Sequence, residues 1–245
     1  MKLSKLAWIF IVAVIGFLGL VSCDDDDSYS LGDFAVELMT VVPDGNAYFL
    51  RRDNGETLWP LATNYPAYRS SKTRALVNYT MLSDSISGFS HGIKVNWIDN
   101  ILTKKIDEYK GVENDVIYGT DPVAIDDMFV GDGYLNIRFG ANFGNKGIKH
   151  KVSLIPAVAD DKEPYVLEFR HNAFKDESLY GAKSTVAFDL SSLKDTAGET
   201  VKLYIRVHSF EGYKTIILDY NSNASALLTQ PQQIRSNESV KNYIQ

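Results

Sequence analysis

The stretch "RALVNYTMLSD", Arg74 to Asp84, decides how the first half of the chain folds. Its apolar residues recur at every second position, which is the period of a strand with one buried face. We therefore expect one side of this strand to carry Ala75, Val77, Tyr79 and Met81.

The same alternation recurs on both sides of this stretch. It appears at Phe34, Val36 and Leu38, and again at His91, Ile93, Val95 and Trp97. Asn54-Gly55 is a strong hairpin signal between Tyr48–Arg52 and Thr57–Trp59. Five short strands within about 70 residues favour a small closed barrel, and the OB fold is the obvious candidate. The sequence thus predicts an OB-like five-stranded barrel over residues 33–105.

A second set of strands follows a polar segment. Thr103 to Thr120 has no period of two and predicts a short helix with a linker at 106–120. Seven short strands over residues 121–220 then predict a β-sandwich, with Val201, Leu203, Ile205 and Val207 facing its core. The chain is therefore all-β. Residues 221–245 form a polar tail, which we expect to be disordered.

The N-terminus has the layout of an export signal. Lys2 and Lys5 precede a charge-free apolar run, Leu6 to Val21, and Leu20-Val21-Ser22-Cys23 resembles the lipobox of bacterial lipoproteins. That resemblance implies a signal peptide at 1–22 and lipidation of Cys23, whose several acyl chains would anchor the protein in a membrane. An uncleaved membrane anchor is the alternative.

An acidic run directly follows the cysteine and consists of Asp24, Asp25, Asp26 and Asp27. It predicts a solvated tether over residues 23–32. The run also resembles the surface-export signal of Bacteroidetes lipoproteins, which implies the outer face of the outer membrane. Retention facing the periplasm is the alternative.

Charge and cysteine content narrow the possible partners and bonds. Loss of Lys2 and Lys5 with the signal peptide changes the formal net charge from −6 to −8, which disfavours nucleic acid as a partner. Cys23 is the only cysteine, so no disulfide is expected.

Several longer phrases resemble the NigD-like lipoproteins of Bacteroidetes. They include "HGIKVNWIDNILTK", "DPVAIDDMFVGDGYLNIRFGANFG" and "LEFRHNAFKDESLYG", of which the last is the most specific. The resemblance covers the mature chain apart from the tail. It implies an N-terminal OB domain and a C-terminal β-sandwich, but no settled activity, since the family takes its name from a bacteriocin gene cluster.

Polar side chains form no convergent catalytic or metal-binding pattern. No two of the four histidines, His91, His150, His171 and His208, lie within ten residues of each other. Glu168 and Arg170 alternate with His171 on a strand, so they should face away from it. The adjacent carboxylates at 126–127, 160–161 and 176–177 are interpreted as solvated turns, and His91 as structural. We therefore expect no metal, no cofactor and no catalytic residues.

An aromatic loop is the strongest candidate for binding. "ETLWPLATNYPAYRSSKTR" supplies Trp59, Tyr65, Tyr68 and Arg69 within eleven residues. Such rings stack on sugars and anchor protein interfaces equally well. Alternatively, Trp59 and Tyr65 close the bottom of the barrel. Two further tripeptides resemble a Bacteroidetes O-glycosylation sequon, centred on Ser85 and Thr196.

The sequence thus favours a non-catalytic binding or accessory module, anchored in the outer membrane and exposed at the cell surface, with a glycan or protein as partner. Two alternatives stay open: an envelope enzyme of hydrolase type with a site in the sandwich, and a bacteriocin-associated accessory protein.

Overall fold

The computed structural model describes residues 32–65, 68, 71–145, 147–158, 163–176, 180–223 and 244–245. Several predicted features lie outside these residues: the signal peptide, the lipidation site Cys23, most of the polar tail, and the four residues of the predicted export signal, Asp24, Asp25, Asp26 and Asp27. Lipidation and surface export therefore stay predictions. Within the described part, no helix is long and apolar enough to cross a membrane.

The first half is a closed five-stranded barrel, as the alternation predicts. Its strands are β1 (Ala35–Asp44), β2 (Ala47–Arg51), β3 (Thr57–Thr63), β4 (Thr73–Ser83) and β5 (His91–Asn100). They pair in the order β1-β2-β3-β5-β4, and β1 closes the barrel against β4. The barrel core contains Met39, Val41, Leu50, Leu58, Val77, Ile93 and Val95, all fully buried. Each such side chain stabilises the fold by roughly 1.5–3 kcal/mol on burial.

The second half is a β-sandwich of two four-stranded sheets. Its strands are β6 (Leu102–Lys105), β7 (Ala124–Gly131), β8 (Tyr134–Phe143), β9 (Lys151–Pro156), β10 (Val166–Asn172), β11 (Tyr180–Asp189), β12 (Val201–Ser209) and β13 (Gly212–Tyr220). One sheet has the order β13-β12-β10-β9 and the other β6-β11-β8-β7. Leu203, Ile205 and Val207 are buried between the sheets, as predicted, whereas Val201 is partly buried and packs against this core.

One strand differs from the sequence prediction. Leu102–Lys105, which lies inside the predicted bounds of the barrel domain, 33–105, pairs in parallel with Val186–Asp189 and becomes the eighth strand of the sandwich. The partner strand lies far along the chain, so no local pattern could indicate this pairing. The predicted short helix is confirmed: a 3-10 turn at Gly111–Glu113 leads into α1 at Asn114–Tyr118.

A buried polar network joins the barrel to the sandwich. The Arg74 side chain on β4 is fully buried, and its guanidinium lies 2.7 Å from Asp53 of the barrel and 3.2 Å from Asn136 on β8. A second ion pair joins Arg51 to Asp132 of the β7–β8 turn at 2.8 Å. Burial raises the pKa of Asp53, while Arg74 acts against that rise. Because a buried charge needs its partner, this network fixes how the two domains meet.

Candidate functional site

The first candidate is an aromatic surface on the outside of the barrel. Leu58 points into the core, so the alternation of β3 turns its neighbour Trp59 outward. The Trp59 ring lies 4.8 Å from that of Phe89 in the β4–β5 turn, and Phe89 lies 5.4 Å from Phe49 on β2. All three rings are partly exposed. We call Phe49, Trp59 and Phe89 the aromatic triad.

Leu61 extends this surface along β3 and is 53% exposed. A Cβ atom on Gly92 would lie 2.4 Å from Leu61 Cδ1, so the Leu61 side chain packs over the Gly92 backbone of β5. The triad and Leu61 thus give β2, β3 and the β4–β5 turn an apolar patch of three partly exposed rings and one exposed leucine. In OB folds the face of strands 2 and 3 is a common binding surface.

The structure separates the four predicted loop residues. Tyr68 packs against Tyr48 rather than Trp59, edge-on with ring centroids 5.1 Å apart, and its hydroxyl donates a hydrogen bond to Asn100. Burial raises the pKa of Tyr68 to about 12. Tyr65 is 47% exposed, and Arg69 lies outside the described residues. The loop prediction missed Phe49 and Phe89, although the outward position of Phe49 follows from its buried neighbour Leu50.

The second candidate is a cleft at one end of the sandwich, which we call the end cleft. It has a volume of about 280 Å³ and lies beside the start of β7 and the C-terminal ends of β8, β10 and β12. Its lining residues are Asp121, Pro122, Asn142, His171, Ala173, Asp176 and Phe210. All but Phe210 belong to the two phrases that carry most of the resemblance described above.

Two buried histidines and an aspartate lie behind this cleft. His150 Nδ1 is 2.9 Å from His171 Nε2, and His150 Nε2 is 3.2 Å from Asp176 Oδ2. Both histidines are at most 3% exposed. The Asp176 carboxylate also accepts hydrogen bonds from the backbone N–H groups of Asn145 and Gly144, at 2.8 and 3.0 Å. These donors lower the pKa of Asp176, Asn145 most strongly.

The ionised Asp176 fixes the position of one proton on His150. A carboxylate only accepts, so His150 Nε2 carries a hydrogen. His150 Nδ1 and His171 Nε2 share one hydrogen bond, so one of these two nitrogens donates and the other accepts. Burial, together with His150, lowers the pKa of His171 to about 4. His171 is therefore neutral at physiological pH.

A strained turn places Asp176 in this cluster. Phe174 and Lys175 have φ of 52° and 64°, in the left-handed region that non-glycine residues rarely adopt. The turn reverses the chain after β10 and returns Asp176 towards the backbone of Gly144. The interpretation of Asp176 as a solvated turn residue was therefore wrong: it is 8% exposed. Glu177 lies outside the described residues.

Other predicted polar residues do not converge. Glu168 and Arg170 pair with each other at 2.9 Å on the face opposite His171, as alternation predicts. Asp126 faces Lys183 at 2.9 Å, and half-buried His91 lies 3.9 Å from Glu56. Asp160 and Asp161 lie outside the described residues. Across the described part of the chain, no three His, Cys, Asp or Glu side chains are grouped to hold a metal ion.

The two O-glycosylation candidates differ in access. Ser85 is exposed in the turn after β4. Thr196 is 6% exposed, and its hydroxyl accepts a hydrogen bond from the Ser222 backbone at 3.1 Å. Modification of either residue stays a prediction, and for Thr196 it would have to break this contact.

The fold defines a class: a two-domain all-β protein in which an OB barrel precedes a β-sandwich. The NigD-like N-terminal OB domain matches residues 38–101, and the NigD-like C-terminal beta sandwich domain matches residues 105–220. The chain therefore belongs to the NigD-like family, and the resemblance inferred from the sequence is confirmed.

Solved structures agree with this assignment. A protein from Parabacteroides distasonis described as toxin-related is 50% identical, with a TM-score of 0.73 over 78% of this chain and 95% of its own. A Bacteroides vulgatus protein of unknown function is 27% identical, with a TM-score of 0.67 over 80% of this chain and 95% of its own. A NigD-like immunity protein from Bacteroides caccae, 20% identical at a TM-score of 0.56 over 78% and 93%, shares the fold. No functionally curated protein matches.

Proposed function

We propose that this protein is a lipid-anchored outer-membrane protein, exposed at the cell surface, that binds a protein partner without catalysis through the aromatic triad of its barrel. The observation that carries the proposal is the apolar patch of the triad and Leu61 on strands β2 and β3.

The chemistry of the patch favours a protein over a sugar. Two backbone groups beside the triad are already paired: the Thr57 backbone donates to Ser90 Oγ at 3.1 Å, and the Ser90 backbone donates to Thr57 O at 2.9 Å. A saccharide would need free hydrogen-bonding groups next to the rings. Rigid aromatic area with little polar demand suits the centre of a protein interface. A protein partner also agrees with the toxin-related and immunity descriptions of two relatives.

The proposed location rests on the N-terminal sequence. A lipidated Cys23, followed by the acidic run Asp24, Asp25, Asp26 and Asp27, would place a tether of about ten residues between the membrane and the barrel. An extended chain spans at most about 3.3–3.6 Å per residue, so the tether would reach roughly 35 Å. This length leaves the aromatic triad free to meet partners away from the membrane surface.

Substitution of the triad tests the proposed function. Trp59→Ala and Phe89→Ala should each weaken the binding of envelope proteins by the purified protein about thirtyfold, since truncation of a central aromatic removes about 2 kcal/mol or more. Tyr213→Ala is the matched control, because Tyr213 is 75% exposed on the sandwich and also stacks on a neighbouring ring. Equal recovery by Trp59→Ala and Tyr213→Ala would contradict the proposal.

A further inference from the structure

The end cleft is built by contacts that are complete without a ligand. Asp121 accepts a hydrogen bond from the Ala173 backbone at 2.6 Å through Oδ2, and the Asp121 backbone donates to His171 O at 2.9 Å. Asp176 holds the opposite wall through the amides of Gly144 and Asn145. Gly119 packs directly against the backbone of His171, where a Cβ atom would lie 2.4 Å from His171 O. The walls are therefore pre-organised.

Three groups of the lining are left over after these contacts. Within the described part of the chain, Asp121 Oδ1 and the side-chain amide of Asn142 make no hydrogen bond to the protein. Asn142 is exposed, and the ring of Phe210 at the β12–β13 turn is 53% exposed. One small cleft is thus lined by a hydrogen-bond acceptor, by an amide that both donates and accepts, and by an aromatic face.

The electrostatics of the lining select against anions. Asp121 and Asp176 are both carboxylates, and neither lysine nor arginine lines the described cleft. Asp176 is already satisfied by two amides and His150, so Asp121 supplies the free negative charge. A phosphate or carboxylate ligand would be repelled, whereas a neutral polyol could donate to Asp121 and exchange two hydrogen bonds with Asn142.

We infer that the end cleft binds a saccharide, with one pyranose ring stacked on Phe210 and its hydroxyl groups on Asp121 and Asn142. The volume of about 280 Å³ suits one or two sugar rings. Phe210 supplies the apolar platform, and the two polar side chains fix the orientation of the sugar. Small-ligand sites commonly combine apolar and polar groups in this way. This site is separate from the barrel surface, so it adds a glycan contact to the proposed protein partner.

Saturation-transfer NMR of the full chain tests the inference. The chain is held in a detergent without a sugar headgroup, and the probes are methyl glycosides of glucose, galactose, mannose, N-acetylglucosamine and fucose, each at about 10 mM because single-sugar affinities lie near this range. At least one glycoside should show transfer to its ring protons. Methylamine and inorganic phosphate, at the same concentration, report cation and anion binding.

Matched variants locate the binding. Phe210→Ala and Asp121→Asn should each weaken the bound glycoside about tenfold, as the loss of one stacking or charge-assisted contact predicts. Tyr213→Ala and Asp219→Asn, which alter an exposed ring and an exposed carboxylate on β13, should leave affinity unchanged. Trp59→Ala should also leave it unchanged, which separates this site from the barrel surface.

The inference is overturned if no glycoside binds, if only methylamine or phosphate binds, or if binding survives Phe210→Ala. Urea unfolding of each variant accompanies the binding measurement. Because Phe210 is half exposed, its truncation leaves the fold intact, so that variant decides the question even if Asp121→Asn loses its contact to Ala173.

Discussion

The buried histidine pair should make the stability of the sandwich depend on pH between about 6.5 and 4. The pKa of His171 falls from 6.5 to about 4 on folding, because burial and His150 disfavour its charged form. The unfolded chain therefore takes up a proton first as pH falls. Stability from this group is fully present above about pH 6.5 and is lost as pH falls towards 4.

The size of the loss follows from the linkage relation. One pKa unit corresponds to about 1.4 kcal/mol, so the shift of His171 removes about 2 kcal/mol of unfolding free energy by about pH 5 and about 3 kcal/mol by about pH 4. His150 faces the His171 ring from just before β9, Asp176 contacts His150 from the turn after β10, and Asp121 lines the same cleft just before β7. Of these, the Asp121 carboxylate opposes the shift and His150 adds to it.

Urea unfolding at several pH values measures this effect. Wild type should lose about 2 kcal/mol more than His171→Gln between about pH 7 and 5, since glutamine can keep a hydrogen bond to His150 but does not titrate. His208→Gln is the control, because His208 lies half-buried at the Thr120 carbonyl, away from the pair. Equal pH dependence for wild type and His171→Gln would refute the reasoning.

Three further predictions concern single contacts. Gly144→Ala should destabilise the fold by about 1–3 kcal/mol in urea, because its Cβ would lie 2.7 Å from Asp176 Oδ1, whereas Gly181→Ala, with open space around it, should have no effect. Arg74→Met should lower the free energy of unfolding by about 3–5 kcal/mol, because it leaves Asp53 without its partner. The same change at exposed Arg206 should lower it by less than about 1 kcal/mol, and similar values for both variants would contradict the role of the network. Cys23→Ala should abolish incorporation of labelled palmitate and leave an uncleaved precursor, and normal processing of this mutant would contradict the lipid anchor. Protease added to intact cells should digest the wild-type protein, and protection of the protein would contradict its surface exposure.

The period of two in the sequence was enough to predict most of the fold. Val201–Ser209 has one buried face, so its apolar positions are visible without any partner, and the apolar residues of Thr73–Ser83 alternate in the same way although both faces of that strand are buried. The same rule placed Glu168 and Arg170 opposite His171. Leu102–Lys105 was not predicted to join the sandwich, because a four-residue strand at a sheet edge is defined by its pairing with a distant strand.

The end cleft could not be predicted in the same way. His150 and His171 are separated by 21 positions and meet because β9 pairs antiparallel with β10, which sets Val152 opposite His171. Asp176 joins them through two left-handed residues, Phe174 and Lys175, neither of which is a glycine that would signal such a turn. The sequence carries a weak signal only: a histidine at the end of one strand and another just before its hairpin neighbour.

Site-specific photocrosslinking at Leu61 in living cells tests the central claim most directly. Leu61 is 53% exposed beside the aromatic triad, so a photoreactive amino acid fits there without disturbing the barrel core. We expect a discrete crosslinked protein band with the probe at Leu61, lost when Trp59→Ala is added and absent with the probe at Tyr213. No band at Leu61, or the same band from both positions, would contradict binding through the barrel surface.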